Sequence, residues 1–492
     1  MRLPDWVVRP VLATGAGLMA AAGQAPWDLW PVAALGYAAG LALVARSRWP
    51  AAVGWLFGAA HFAAALHWIT EPFLVDAAAT GWLAPIALVA MAGGMAVFWA
   101  AGLGLGARLG GAPGAALGLV LAELGRAYLL TGFPWALPGH VFIGSPALPA
   151  AAILGAHGLG LCLLLGAGLL VTFRAIPAAF GAALLALPFL LAATGAPPPP
   201  QQDAPVVRLV QPNAPQHQKW DPDFQNLFFR RGLAATTATS ETRPSLVLWP
   251  ETALPALLET SADLRAIIAT AAGGAPVLIG AQRYDAAGAP RNAAALLAGP
   301  DGAIAQVYDK HRLVPFGEYL PLPAIADALG LGPFAAQLAG RYAPGPGPDL
   351  IDVQGIGPVL PLICYEAIFP QDLRRVARPR AILHLTNDAW FGTGAGPRQH
   401  LALARLRAAE SGLPVLRAAN TGISAAIDAR GRVQATLPLG AEGHLDATLP
   451  PALPPTPYLA TGDWPPAVLA ALLLATIALR RRKSVDAAVG TP

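Results

Sequence analysis

Over the first 195 residues apolar side chains run almost unbroken, and polar positions punctuate the runs instead of marking one face of a helix. A bilayer core of about 30 Å takes roughly 20 apolar residues per helix. Stretches of that kind lie near residues 9–25, 28–45, 51–69, 82–107, 113–132, 147–173 and 176–195. An eighth follows Asp463 and stops at Arg480. The first run reads as a retained span, because no clear small-residue cleavage site follows it and the next run begins at once.

After a Pro-rich linker, 196–203, the pattern changes. Short Val-, Ile- and Leu-rich runs recur at 206–210, 246–249, 277–280, 293–298, 303–308, 359–364, 381–386, 415–419 and 424–427. Helix-compatible segments at 222–237, 261–272, 371–377 and 398–411 lie between several of them. Mixed strands and helices over this length predict one layered α/β domain. The expected organisation is a membrane domain at 1–195, an α/β domain at 196–462, an eighth span at 463–483 and a tail at 484–492.

Charge sharpens this division. Charged residues make up 12% of the chain, about half the usual share of roughly 25%. Only nine lie in 10–195, against 42 in 196–462. Arg2, Arg9, Arg46, Arg48, Arg108, Arg174 and the cluster at 480–483 fall on one side of the eight-span alternation. By the positive-inside rule both termini are then cytoplasmic and the α/β domain is extracytoplasmic. A net charge of +4 with no basic stripe excludes a nucleic-acid partner.

Within the spans, Glu123 and Arg126 are spaced to pair on one helix face, as a structural pair or a substrate contact. His61, His67 and His157 read as packing residues, and no metal-spaced cluster surrounds them. The segment 131–140, rich in aromatics and breakers, is expected to be an interfacial anchor or a lipid-contacting re-entrant loop.

Three places in the second domain carry chemistry. The apolar run 246–249 ends at Pro250-Glu251, a carboxylate suited to general-base work or to capping a loop. Tyr308-Asp-Lys-His-Arg-Leu-Val-Pro-Phe-Gly-Glu-Tyr319 holds Lys310, one of three lysines against 29 arginines. A compact ammonium differs chemically from a guanidinium. The run 359–363 leads into Cys364-Tyr-Glu366, read as strand, sharp turn and helix. A thiol at such a turn, near a cation or a helix N-terminus, is expected to have a lowered pKa and to be nucleophilic. With two cysteines there is no disulfide framework, and Cys162, inside a span, reads as a small hydrophobe.

Glu251, Lys310 and Cys364, separated by 59 and 54 residues, resemble the Glu-Lys-Cys triad of the nitrilase superfamily, which implies an α-β-β-α sandwich. Joined to eight spans, the pattern resembles the membrane-embedded, lipoprotein-acylating branch of that superfamily. The resemblance implies Glu251 as base, Lys310 as oxyanion-stabilising cation and Cys364 as nucleophile. Glu318, Tyr365, Glu366, Trp220 and Trp390 match supporting or substrate-binding positions. It further implies ping-pong acyl transfer in the bacterial inner membrane. The donor is a phospholipid, phosphatidylethanolamine by resemblance, and the acceptor is the N-terminal amine of a diacylglyceryl-cysteine apolipoprotein. No metal or diffusible cofactor is required. The segment 316–343, apolar and poorly charged, is a candidate lid. A membrane-tethered amidase with water as acceptor, and a non-catalytic scaffold or transporter, are the competing readings.

Overall fold

The computed structural model describes residues 5–193, 203–321 and 342–489. The chain forms two compact units, Met1–Ala196 with Thr456–Pro492, and Pro197–Pro455.

The first unit is helical. Its long helices are Asp5–Ala21, Trp30–Ala45, Pro50–Ala65, Ala84–Tyr128, Ala151–Leu170, Ala175–Ala192 and Trp464–Val489. Among the described residues four helices are long and apolar enough to cross a membrane, or five if the bent pair Pro50–Ala65 and His67–Leu74 counts as one span. Val8–Ala21 and Trp30–Ala45 are shorter apolar helices.

The Ala84–Tyr128 stretch is broken at Gly110 and Gly111, which leave helical geometry, with φ at +60° for Gly111. Its halves fold back on each other. A Cβ on Gly118 would strike the backbone of Gly102, and one on Gly114 the backbone of Gly106. Glycines four apart on both halves let the two backbones touch, the small-residue packing of membrane helices.

One end of the unit gathers basic loops: Arg9 donates to the Arg46 carbonyl at 3.3 Å, and the Arg46 guanidinium lies 5.7 Å from the Phe173 ring. At the other end Trp27 meets His67, with ring centroids 6.3 Å apart, and Gln24 donates to the Leu137 carbonyl at 3.1 Å.

Segment 131–140 departs from the expectation of lipid contact. Trp135, Ala136, Leu137 and His140 are buried, and Gly139 lies against the Ala156 carbonyl too closely for a Cβ. The cause is Arg126. Its guanidinium pairs with Glu123 (2.5 Å) and donates to the Phe133 (2.5 Å) and Trp135 (2.8 Å) carbonyls. Trp99 Nε1 also donates to Glu123, at 2.7 Å. Irregular backbone survives away from water only when its polar groups are satisfied this way.

The helical unit resumes at Thr456, before the 463 read from hydropathy. Tyr458 on the Pro457–Thr461 helix packs on Gly155, where no Cβ would fit, and donates to the buried Asp463 at 3.1 Å. Tyr128 donates to the same carboxylate at 2.6 Å.

The second unit stacks two six-stranded sheets. We number its strands β1 (Val206–Gln211), β2 (Leu246–Leu248), β3 (Val277–Tyr284), β4 (Pro290–Ala298), β5 (Ala303–Asp309), β6 (Ile351–Val353), β7 (Gly357–Ile363), β8 (Ala381–Thr386), β9 (Val415–Ala419), β10 (Ser424–Ile427), β11 (Val433–Leu437) and β12 (Gly443–Thr448). The orders are β12-β1-β2-β3-β4-β5 and β11-β10-β9-β8-β7-β6. β1, β2 and β3 run parallel, as do β7, β8 and β9.

Strand alternation sorts the core into layers. Leu246 and Leu248 join Leu383, Leu385 and Leu416 between the sheets. Val247 and Trp249 point the other way, toward Phe229 and Ile268 of the flanking helices Pro222–Thr237 and Ala262–Ala271. Helix Ala395–Ser411 packs beside β9 on the second sheet. The result is the α-β-β-α sandwich. Segment 371–377, expected to be helical, forms only a 3-10 turn, Pro370–Arg374.

Candidate active site

The sandwich brings its chemistry to strand ends. Glu251 follows β2, Lys310 follows β5, Cys364 follows β7, Asn387 follows β8 and Asn420 follows β9. Outer ends of parallel strands are where open α/β sheets place ligands.

Glu251 sits in a tight turn. Thr252 has φ +46°, and Ala253 N donates to the Gly280 carbonyl at 2.9 Å. The Pro250 and Glu251 backbone lies so near Gly280 that a Cβ there would displace it. Glu251 Oε1 accepts from Lys310 Nζ at 3.0 Å, and Oε2 accepts from the Asn387 backbone N–H at 3.0 Å.

Lys310 is 1% exposed. Its ammonium also donates to Glu318 Oε1 at 2.8 Å, and Asn292 Nδ2 donates to the same oxygen at 2.7 Å. Burial opposes the lysine's charge, but the Glu251 and Glu318 carboxylates outweigh it and hold the pKa well above the ordinary value. Lys310 is therefore a fixed cation at neutral pH.

Cys364 opens a 3-10 turn, Cys364–Ile368, with φ +49°. A non-glycine residue in that region costs of order 1 kcal/mol and persists only when its surroundings enforce it. The thiol differs from the expectation of a lowered pKa. Burial, and then the Glu251 carboxylate, push it up, while Lys310 opposes them. The resting sulfur is a neutral thiol, so nucleophilic attack requires a base to take its proton.

The remaining expected residues divide by role. Glu318 bridges Lys310 and the Val314 N–H, which donates at 2.8 Å. Glu366 is fully buried and links the two sheets' motifs. It accepts from Ile363 N (2.7 Å), His311 N (2.7 Å) and Tyr308 Oη (2.9 Å). It thus ties the end of β7 to the lysine segment. Tyr365 is buried and meets Phe369 edge-on at 5.1 Å. Burial pushes its phenol upward.

Trp220 is 42% exposed and Trp390 is 40% exposed. Trp220 lines a small pocket with Lys219, Phe228, Phe229, Glu251 and Asn420. Trp390 lies in the Asp388–Phe391 turn, directly after Asn387. Of the candidate lid, 322–341 lie outside the described residues; Phe316 at its start is exposed, with φ +64°.

Sequence reasoning missed two groups. Lys219 is buried and donates to the Glu251 carbonyl (3.2 Å) and Thr252 Oγ1 (2.7 Å). Burial lowers its pKa to about 8 against the pull of Glu251 and Cys364. The scarcity of lysine was an available signal. The second group, His384, Asp388, His400 and Arg417, is fully buried behind Cys364. His384 and Arg417 sit singly in apolar strands, His400 on a helix and Asp388 in the turn after Asn387, with no spacing that marks them as one cluster.

Residues 206–454 match the family model for carbon-nitrogen hydrolases, and residues 16–169 match that for the apolipoprotein N-acyltransferase N-terminal domain. An apolipoprotein N-acyltransferase of Caulobacter vibrioides is 38% identical over 507 residues, covering 96% of this chain and 94% of that protein. One of Rhodopseudomonas palustris is 35% identical over 513 residues, covering 96% and 95%.

Proposed function

The chain belongs to the apolipoprotein N-acyltransferase family, and from that premise we propose how its own residues carry out acyl transfer in lipoprotein maturation. It is an acyltransferase of the bacterial inner membrane, taking an acyl chain from a membrane lipid to a lipoprotein.

In the proposed mechanism Glu251 takes the thiol proton as Cys364 Sγ attacks the ester carbonyl of the phospholipid, phosphatidylethanolamine in this reading. The tetrahedral oxyanion lies between the Lys310 ammonium and the backbone N–H after Cys364, an electrostatic role favoured where water is excluded. Collapse breaks the ester C–O bond. The proton returns to the leaving alkoxide, and a Cys364 thioester and a lysophospholipid remain. The α-amine of the diacylglyceryl-cysteine then attacks the thioester, loses a proton to Glu251 and leaves as the amide, regenerating the thiol. Two substrates sharing one nucleophile give ping-pong kinetics.

The observation that carries this reading is the buried Glu251–Lys310 pair, 3.0 Å apart, electrostatically coupled to the neutral Cys364 thiol. Glu318 and Glu366 support the site, and Tyr365, Trp220 and Trp390 contact substrate or shape its approach.

We further propose eight crossings, with both termini cytoplasmic and the α/β unit periplasmic. The break at Gly110–Gly111 supports counting the Ala84–Tyr128 stretch twice. The gathering of Arg9, Arg46 and Phe173 at one end supports the orientation. Lipid chemistry suits this setting, since each acyl CH₂ exposed to water costs about 0.8 kcal/mol.

The test is acceptor choice. Full-length protein in phosphatidylethanolamine vesicles, given a diacylglyceryl-cysteine peptide, is expected to yield N-acyl peptide and lysophospholipid in equal amounts. Free fatty acid in place of acyl peptide would instead make the protein a hydrolase.

A further inference from the structure

The carbonyl of Cys364 faces two buried histidines that the mechanism above does not use. His384 Nε2 lies 3.2 Å from this oxygen, and so does His400 Nε2. Behind the histidines, Arg417 reaches Asp388 Oδ2 with one nitrogen and His384 Nδ1, at 2.8 Å, with another. Asp388 Oδ1 takes His400 Nδ1 at 2.9 Å and Thr386 Oγ1 at 2.9 Å. His384, Asp388, His400 and Arg417 are all 0% exposed. Two histidines and an aspartate invite a metal reading, but the guanidinium of Arg417 already supplies the cation among them.

The proton on His384 can be placed from its partners. A guanidinium only donates, so Nδ1 facing Arg417 must present its lone pair. The proton is then on Nε2, aimed at the Cys364 oxygen. Burial and the neighbouring Arg417 charge lower the His384 pKa well below its ordinary value, so the ring is neutral and in one tautomer. Asp388 fixes Arg417, Arg417 fixes the tautomer, and His384 donates to the nucleophile's own carbonyl.

That carbonyl belongs to the peptide unit that joins Cys364 to Tyr365. A hydrogen bond to the oxygen of an amide polarises the whole unit and strengthens its N–H as a donor. It also restrains the left-handed backbone of Cys364, whose strain needs such enforcement. We propose that His384, oriented by Arg417 and Asp388, is a positioning residue for acyl transfer that organises and polarises the Cys364–Tyr365 peptide so that its N–H receives the oxyanion. This inference rests on Cys364 being the nucleophile.

Three substitutions separate the roles. His384→Gln carries its amide out to the level of Nε2, where the NH₂ donates toward Cys364; His384→Asn holds its amide one bond shorter, at the level of Nδ1, where its oxygen accepts from Arg417 and its NH₂ stops short of the Cys364 oxygen; and His384→Leu has neither group. Full-length variants whose folding is verified by thermal melting are acylated by phosphatidylethanolamine vesicles in single turnovers. Their Cys364 is alkylated with iodoacetamide in parallel, a reaction that builds no oxyanion. The glutamine variant is expected to acylate within about threefold of wild type. The asparagine and leucine variants are expected to slow by roughly 10- to 100-fold in rate, below the loss for removing a whole oxyanion donor. KM for phospholipid and the alkylation rate should stay within about threefold throughout.

Wild-type acylation by the folded asparagine variant overturns the inference, as does a glutamine variant as slow as asparagine. Alkylation falling in step with acylation also overturns it, because it marks a merely structural role. The asparagine variant keeps the test decisive if leucine does not fold. Absence of any acyl adduct on wild-type Cys364 sinks the underlying mechanism instead, so the two failures are distinct.

Discussion

The Lys310 ammonium and the Glu251 carboxylate, 59 residues apart in the chain, meet at 3.0 Å with the lysine 1% exposed. Glu318 shares the same ammonium at 2.8 Å. Removing the cation leaves two carboxylates facing each other in a poorly hydrated site. Lys310→Met is therefore expected to slow single-turnover acylation by at least about 100-fold and to cost about 3–5 kcal/mol of stability in denaturation. The folded pKa of Lys310 is raised. Its contribution is thus complete below the unfolded lysine value of about 10.4 and fades only as pH climbs through the higher folded value. The stability difference should accordingly be undiminished at neutral pH.

His311 predicts a pH dependence in a lower range. Burial works against its charge, but hydrogen bonds to Asp372 and Glu366 outweigh it and raise the pKa to about 9. A raised histidine stabilises fully below about 6.5 and loses that contribution as pH rises through the folded value. Stability should therefore decline between pH 6.5 and about 9, by on the order of 1–2 kcal/mol after solvent screening. Thermal melts of His311→Gln should lack that decline. A decline of equal size in the variant would locate it elsewhere.

The helical unit offers a packing test. At Gly118 an added methyl meets the Gly102 backbone, which cannot swing aside as a side chain can. Gly118→Ala should destabilise the detergent-solubilised protein by about 1–3 kcal/mol, whereas Gly94→Ala, with open space around it, should leave the melting temperature unchanged.

Much of this organisation is legible in the sequence, because apolar runs with abrupt polar breaks report both the long helices and the short strands. Glu251 and Cys364 stand out because each follows an apolar run, and Lys310 because lysine is scarce in this chain. The thiol's raised pKa is not legible there: it depends on burial and on a carboxylate 113 residues away in sequence, which only the packed sheets bring near. The cluster behind Cys364 is equally hidden. His384 sits mid-strand, Arg417 mid-strand on its neighbour and His400 on a helix, and the register His384↔Arg417 makes them partners. Segment 131–140 looks like a membrane-surface loop by composition, and Arg126 draws it inward through two backbone carbonyls.

The claim that Cys364 carries the acyl chain is tested most directly by intact mass. Purified full-length protein is mixed with phosphatidylethanolamine vesicles and quenched in acid before any acceptor is added. Wild type is expected to gain the mass of one acyl chain, released by neutral hydroxylamine as a thioester is, and Cys364→Ser to gain no hydroxylamine-labile adduct. The same labile adduct persisting in Cys364→Ser, or no adduct on a wild-type protein that still acylates peptide, would contradict the account.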